Sequence, residues 1–256
     1  MTRVLAKADC PRCEGTGWLV ADDGGSGTAR RCSCGAEVLL PQLLESSGVP
    51  VRYRNCTIEN FETSSPDSAE REILFEARER CRRYVDGFLD IRGQFQEAGL
   101  LFVGPPGTGK THLAAAVLTA LIRRYRVRGR FIDFSSLIHQ IQSTFDPSSP
   151  ESKHDVLDPV IHAEVLVLDE LGAQKPTQFV TDTLYLILNN RYTARRTTIF
   201  TSNLRLERGR TSPLAEVDLL ESRLTAPIVS RLYEMAATVQ LDVADFRREI
   251  RQAAFR

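Results

Sequence analysis

The chain has 256 residues, of which 42% are hydrophobic, which is enough for one α/β domain of ordinary size and a small additional module. Its 33 basic and 33 acidic residues give a formal net charge of zero, so any contact with nucleic acid has to come from a local basic patch. The amino terminus has no apolar signal core, and no stretch approaches the roughly 18 consecutive apolar residues of a membrane span, which predicts a cytoplasmic protein with no membrane partner.

Four of the six cysteines lie near the amino terminus, in two close pairs, Cys10 with Cys13 and Cys32 with Cys34. This spacing suits two knuckles that close on one tetrahedral zinc ion, and four protein ligands indicate a structural ion. So short a segment cannot bury enough apolar surface to fold alone, and a metal would stabilise it. A disulfide pair and free thiols in a disordered tail are the alternatives. We predict a zinc-binding, zinc-ribbon-like module with its linker over 1–50 and a second domain over 51–256.

The second domain alternates strands with helices. The stretch 36–50 is mixed in character and predicts no definite element, whereas a turn-rich run at 63–68 precedes a helix that ends near Gly87. Strands are predicted at 100–103, 131–133, 165–168, 197–201 and 238–241, and helices at 112–118, 135–144 and 178–191. This alternation predicts an α/β fold with a parallel sheet flanked by helices on both faces.

A phosphate-binding loop lies between the first predicted strand of that sheet and the helix after it. Residues 104–111 have the order G-x-x-x-x-G-K-T, in which glycines let backbone N–H groups wrap phosphates at the positive end of the helix. Lys110 is expected to reach the β- and γ-phosphates of a nucleoside triphosphate, and Thr111 to offer its hydroxyl to Mg²⁺. A glycine-rich surface turn is the alternative. The predicted nucleotide-binding residues here are Gly104, Pro105, Pro106, Gly107, Thr108, Gly109, Lys110, Thr111 and His112.

Two acidic residues and an amide follow later strands. Asp169 and Glu170 come at the end of the strand 165–168, at the edge where ligands of open α/β sheets bind. Asp169 is predicted to hold Mg²⁺ through its water shell, and Glu170 to polarise the attacking water as a general base. Asn203 is predicted to orient that water if its strand lies beside the acidic pair. A solvated acidic turn and an asparagine that only caps a turn are the structural alternatives.

This order of motifs resembles the AAA+ ATPases, and in particular the branch of the DnaC/DnaI-type replicative helicase loaders and the IstB-type transposition helpers. In that branch the arginine of the last motif is a finger that reaches the γ-phosphate held by a neighbouring subunit, and the resemblance assigns this role to Arg231. A second Ser-Arg-Leu at 222–224 leaves Arg223 as a competing position. The motifs are Gly-Pro-Pro-Gly-Thr-Gly-Lys-Thr-His-Leu-Ala at 104–114, Leu-Asp-Glu-Leu-Gly at 168–172, Asn-Arg-Tyr at 190–192, Thr-Ser-Asn at 201–203 and Ser-Arg-Leu at 230–232.

The resemblance implies a P-loop NTPase fold without the carboxy-terminal lid domain of most AAA+ proteins. It implies an ATPase that uses ATP and Mg²⁺, self-associates through the ATP site, and loads a hexameric replicative helicase onto single-stranded DNA. The cysteine knuckles are similar to the zinc-binding region with which some loaders grip the helicase, and transposition helpers generally lack such knuckles. The sequence therefore favours a loader over an IstB-like helper of a transposase.

The DNA-contacting residues have two candidate locations. Five arginines lie between 123 and 130, where they form either a solvated helix end or a basic strip for DNA phosphates. The resemblance points instead to the helix and loop over 135–154. The arginines are Arg123, Arg124, Arg126, Arg128 and Arg130.

Two other classes share parts of the pattern. A small-molecule kinase would have the phosphate loop, but it should carry an arginine-rich lid and does not need an Asp-Glu pair followed by Thr-Ser-Asn. A zinc-dependent DNA-binding regulator with an inactive ATPase would have no use for intact Lys110, Asp169 and Glu170. Both classes fit the sequence less well than the loader or the transposition helper.

Overall fold

The structure is a computed structural model that describes residues 6–7, 9–20, 29–90, 93–204 and 219–248. Near the amino terminus, strand β1 (Trp18–Val20) pairs antiparallel with β2 (Ala29–Arg31). Helix α1 (Cys34–Ser46) and a single 3-10 turn (Val51–Tyr53) lead from this hairpin into the rest of the chain.

Among the described residues, five strands form the main sheet, and every pairing among them is parallel. The strands are β3 (Gly99–Val103), β4 (Gly129–Asp133), β5 (Val165–Asp169), β6 (Thr197–Ser202) and β7 (Ala236–Gln240). Their order across the sheet is β4-β5-β6-β3-β7, so the two strands that precede Glu170 and Asn203 are neighbours. This confirms the predicted α/β fold with a parallel sheet.

Helices cover both faces of the sheet because successive residues of a strand point to opposite sides. The helices described in the main domain are α2 (Ser68–Asp86), α3 (Lys110–Tyr125), α4 (Phe134–Ser143), α5 (Lys153–His162), α6 (Gln178–Thr193), α7 (Leu220–Arg223) and α8 (Ala226–Met235). In β3, Leu100 and Phe102 join a core with α2 and α3, while Leu101 and Val103 join a second core with α4, α5, α6 and α8.

Side-chain caps explain where several of these helices begin. The carboxylates of Asp67 and Asp133 accept backbone N–H groups at the starts of α2 and α4. Helix α5 was not predicted, although Ser152 and Asp155 form a reciprocal capping box at its first turn. In the described part of the chain, no helix is both long and apolar enough to cross a membrane.

Helix α1 lies where the sequence predicted no definite element, and Pro41 inside it obscures the helical pattern. Leu43 of α1 and Val49 after it are buried in the same core as α3. The Ser47 carbonyl accepts a hydrogen bond of 2.7 Å from the backbone N–H of Phe131 on β4. Residues 34–50 are therefore packed on the main sheet, whereas the predicted division at 51 grouped them with the amino-terminal module.

Arg191 of α6 is fully buried, and its hydrogen bonds connect the end of helix α5 to the start of strand β6. Its guanidinium donates hydrogen bonds to the carbonyls of Val160 (3.0 Å) and Ala163 (2.8 Å) near the end of α5. It also donates to the Thr198 hydroxyl (2.8 Å) and the Thr197 carbonyl (2.5 Å) on β6. Burial lowers the pKa of Arg191 to about 9. The middle residue of the Asn-Arg-Tyr motif thus has a structural role within the subunit.

Candidate functional site

The loop between β3 and α3 has the backbone that a phosphate-binding loop needs. Gly107 and Gly109 have left-handed φ angles of 83° and 90°, which side chains other than glycine rarely adopt. A Cβ atom at Gly109 would also lie 2.5 Å from the Phe61 ring. Helix α3 begins directly after this loop, so its unpaired N–H groups and positive end face the same place.

Lys110 is held inside the loop, with 5% of its surface exposed. Its ammonium donates a hydrogen bond of 2.6 Å to the Pro105 carbonyl and lies 3.4 Å from the Thr108 hydroxyl. Burial lowers the pKa of Lys110 to about 8, and the nearby Asp169 carboxylate partly opposes this shift. The ammonium is thereby positioned in the loop that would surround an anion.

Asp169, at the end of β5, is the buried acid of the site. One of its oxygens accepts a hydrogen bond of 3.1 Å from the Thr111 hydroxyl and one of 2.5 Å from the Thr201 hydroxyl. Burial raises the pKa of Asp169, while these two hydroxyls lower it. Hydroxyl and carboxylate oxygens are ligands that Mg²⁺ accepts, so Thr111 and Asp169 fit a magnesium site. Thr201 was not among the predicted site residues, although it lies in the Thr-Ser-Asn motif.

Glu170 and Asn203 extend into a cavity of about 520 Å³ beside the loop. Both side chains are exposed there, and Lys110 and Thr111 line the same cavity. Glu170 has a left-handed φ of 60°, and its backbone N–H donates a hydrogen bond of 3.0 Å to the Thr201 hydroxyl. The structure therefore brings together the predicted base, the predicted water-orienting amide and the phosphate loop.

The predicted loop residues divide into two groups. Residues 106–112 line the cavity, whereas Gly104 packs against the Leu241 carbonyl and Pro105 contributes the carbonyl that accepts from Lys110. The His112 imidazole lies 3.0 Å from the Thr57 carbonyl and packs edge-on against the Phe61 ring, with centroids 5.4 Å apart.

The sequence does not predict two parts of the cavity wall. One contains Arg52, Tyr53 and Phe61 from the segment before α2, and the other is the run 243–247 after β7. Neither has a local motif, since each reaches the loop only through the fold.

Arg231 lies on α8 and is not among the described residues that line this cavity. Its guanidinium donates a hydrogen bond of 2.6 Å to the Asn189 side-chain oxygen. It also lies over the rings of Tyr192 and Tyr185, at 4.9 Å and 5.5 Å from their centroids. Arg223 ends the short helix α7. These contacts hold the Arg231 guanidinium away from the nucleotide cavity of its own chain.

The four amino-terminal cysteines form one buried cluster. Their sulfur atoms all lie within 4.8 Å of one another, with Cys10 and Cys32 3.8 Å apart and Cys13 and Cys34 3.5 Å apart. Four thiolates around a tetrahedral zinc ion with Zn–S bonds of about 2.3 Å would have S···S distances of about 3.8 Å. These separations are much longer than the roughly 2.0 Å of a disulfide bond, so the cluster fits zinc rather than a disulfide pair.

Comparison with known proteins places this site in a family. The profile of the family described as IstB-like ATP binding protein matches residues 79–254. The chain belongs to this family. It is accordingly an ATP-binding protein and a P-loop ATPase of the IstB/DnaC-like kind.

Solved structures support the same assignment for this IstB-like ATPase. The crystal structure of the DnaC helicase loader is 31% identical, with a TM-score of 0.59, over 75% of this chain and 99% of that chain. The crystal structure of DnaI has a TM-score of 0.57 at 22% identity, over 75% of this chain and 93% of that chain, which shows a common fold.

Two curated relatives extend the comparison. The replicative helicase loader DnaC of Escherichia coli (strain K12) is 29% identical over 164 residues, which are 63% of this chain and 60% of the loader. The phage-like element PBSX protein XkdC of Bacillus subtilis (strain 168) is 26% identical over 237 residues, which are 91% of this chain and 81% of XkdC.

The arginine-rich segment of this IstB-like ATPase makes several contacts within the chain. Arg124 pairs with Asp86, Arg128 lies 3.6 Å from Glu164, and Arg130 donates a hydrogen bond of 3.1 Å to the Ser46 carbonyl. These contacts favour the structural interpretation of these three arginines over the DNA-binding one.

Proposed function

We propose that this IstB-like ATPase loads a replicative DNA helicase, with ATP binding and hydrolysis controlling its assembly. The observation that carries the proposal is the likeness to the DnaC helicase loader structure, at 31% identity over 99% of that chain. The proposed partners are the hexameric helicase, single-stranded DNA and further copies of the chain.

In the proposed reaction the phosphate loop binds the triphosphate, and Lys110 contacts the β- and γ-phosphates. Glu170 accepts a proton from the attacking water, which Asn203 holds in line with the γ-phosphate. Thr111 and Asp169 would hold Mg²⁺, which would supply positive charge to offset the charge of the phosphate oxygens. The Thr201 hydroxyl donates a hydrogen bond to the Asp169 carboxylate and accepts one from the Glu170 backbone N–H. These two bonds fix the position of the proposed metal-binding acid relative to that of the proposed base.

Self-association completes the site in this proposal. In it, Arg231 of one subunit reaches the γ-phosphate bound to its neighbour, a role that is supported by its position outside the cavity of its own subunit. Such an arginine stabilises the charge that develops during phosphoryl transfer. A single subunit would consequently hydrolyse ATP slowly, and an assembly would hydrolyse it faster.

The amino-terminal module of 1–50 is proposed to bind one structural zinc ion through Cys10, Cys13, Cys32 and Cys34 and to grip the helicase. The buried sulfur cluster supports the metal, and its position outside the main sheet leaves it available to a partner. Single-stranded DNA would bind through phosphate contacts, so its affinity should fall steeply with salt. The segment 135–154, which holds α4 and the loop after it, is the proposed contact region.

Co-elution with the replicative helicase of the source organism tests the proposal, with ATP and without it. The matched variant is Cys10→Ser combined with Cys13→Ser, which removes half of the sulfur cluster and leaves α1 and the ATP site unchanged. A complex formed by the native chain and lost in the double variant would support a loader whose zinc module is the grip. No complex in any nucleotide state would contradict the loader.

The alternative function is assistance to a transposase, which the IstB-like family match favours. It would be supported if the native chain failed to bind the helicase but co-eluted with a transposase in the presence of ATP.

A further inference from the structure

The segment after the last strand, residues 241–248, crosses the phosphate loop, and we refer to it as the carboxy-terminal strap. Its Leu241 N–H donates to the Val103 carbonyl at 2.8 Å, and its Phe246 N–H donates to the Gly107 carbonyl at 3.3 Å. Between these two bonds, the Ala244 N–H donates to the carboxylate of Glu70 on α2 at 2.8 Å. The strap is therefore attached to β3, to the loop itself and to α2.

Two charged side chains of the strap lie at the loop. A Cβ atom built on Gly107 would come within 1.8 Å of an Asp245 carboxylate oxygen, so this carboxylate is in direct contact with the loop glycine. The same oxygen accepts a hydrogen bond of 2.9 Å from the backbone N–H of Arg247. Asp245 and Arg247 both line the nucleotide cavity.

The charged side chains of the strap affect the pKa of Lys110 in the phosphate loop. The pKa of Lys110 is lowered mainly by burial, and the positive charge of Arg247 lowers it further, whereas the negative charge of Asp245 raises it. Because Arg247, Asp245 and Lys110 line the same cavity, the two strap charges lie beside the place where a phosphate would bind. Arg248 follows directly in sequence but is not among the described residues that line the cavity.

We propose that Arg247 is a nucleotide-binding residue that contacts the phosphates of ATP within its own subunit, while Asp245 weakens binding by opposing their charge. A guanidinium offers a fork of donors that matches phosphate oxygens, and a carboxylate against the loop repels them. The strap sets the nucleotide affinity through these opposing charges. The inference rests on the proposed binding of ATP phosphates by Lys110 and the phosphate loop.

Equilibrium binding of ATP and ADP to the full chain tests the proposal, with five single variants measured beside the native protein. Arg247→Ala should weaken ATP binding about tenfold, the value of one lost charge-assisted hydrogen bond. Arg248→Ala, the matched control, should bind as the native chain does. Asp245→Asn keeps the oxygen that accepts the Arg247 N–H but removes the charge, and it should bind ATP about threefold more tightly.

The fourth variant separates this inference from the proposed ATP site. If Lys110→Ala binds ATP normally, the proposed site itself is wrong. If Lys110→Ala loses binding but Arg247→Ala and Arg248→Ala bind equally well, the site stands and the role of Arg247 is refuted. Arg247→Lys, which keeps a charge but not the fork, should give an intermediate affinity, and thermal unfolding of each variant identifies any loss due to misfolding.

Discussion

A mixture of two inactive variants would show whether Arg231 acts between subunits. Lys110→Ala removes the ammonium from the phosphate loop but leaves α8 intact, and Arg231→Ala does the reverse. In each subunit, Arg231 is held by Asn189, Tyr185 and Tyr192, outside the cavity that contains Lys110. Under the proposed mechanism, a subunit with an intact loop is active only beside a neighbour with an intact Arg231.

The expected size of the effect follows from this arrangement. Loss of a finger arginine lowers the hydrolysis rate on the order of 10³-fold in related NTPases, and Lys110→Ala should be at least as damaging. In an equal mixture that assembles at random, about one interface in four combines an intact loop with an intact finger. The mixture should therefore recover about a quarter of the native rate, far above either variant alone.

Steady-state phosphate release measures this recovery at a protein concentration at which the native chain self-associates. The matched control replaces Arg231→Ala by Arg223→Ala in the mixture. If the mixture of Lys110→Ala with Arg231→Ala recovers activity, and Arg223→Ala alone hydrolyses ATP at the native rate, the finger is Arg231. A mixture no faster than its parts would show that Arg231 is not a finger acting between subunits.

Three further outcomes are expected. Glu170→Gln should bind ATP normally but hydrolyse it on the order of 10²- to 10⁴-fold more slowly, and a native rate would exclude Glu170 as the base. Arg191→Met should lower the unfolding free energy by about 3–5 kcal/mol, because several buried acceptors lose their donor, and denaturant unfolding would measure it. ATP affinity should fall as pH rises above about 8, where free Lys110 loses its charge, whereas Lys110→Arg, which stays charged, should show a flat profile if it binds.

Much of the sheet was predictable because its strands are buried on both faces. Strands of this kind appear in sequence as continuous apolar runs, and β3 and β5 lie within one residue of their predicted bounds. The phosphate loop was predictable for a different reason, since all of its residues are contiguous. The pairing of Glu170 with Asn203 required β5 and β6 to be neighbours, and the strand order confirms this condition.

The features that could not be predicted depend on contacts between distant parts of the chain. The carboxy-terminal strap reaches the loop from β7 through hydrogen bonds to Val103 and Gly107, and no local pattern indicates that contact. The burial of Arg191 is equally hidden, because an arginine in an amphipathic helix is ordinarily solvated. Its acceptors come from α5 and β6, which only the fold brings together.

The packing of α1 on the main domain provides a test of the predicted domain boundary at 51. A chain that begins at Val51 would lose Leu43 and Val49 from the core and leave the Phe131 N–H without the Ser47 carbonyl. A chain that begins at Gly35 would lack all four clustered cysteines but keep these contacts. Each buried aliphatic side chain contributes about 1.5–3 kcal/mol and an unsatisfied N–H costs about 1–3 kcal/mol, so the shorter chain should be less stable by several kcal/mol. A lower thermal unfolding midpoint for the shorter chain would place residues 35–50 in the ATPase domain. Equal midpoints for the two chains would show that α1 is dispensable for stability and would support the division at 51.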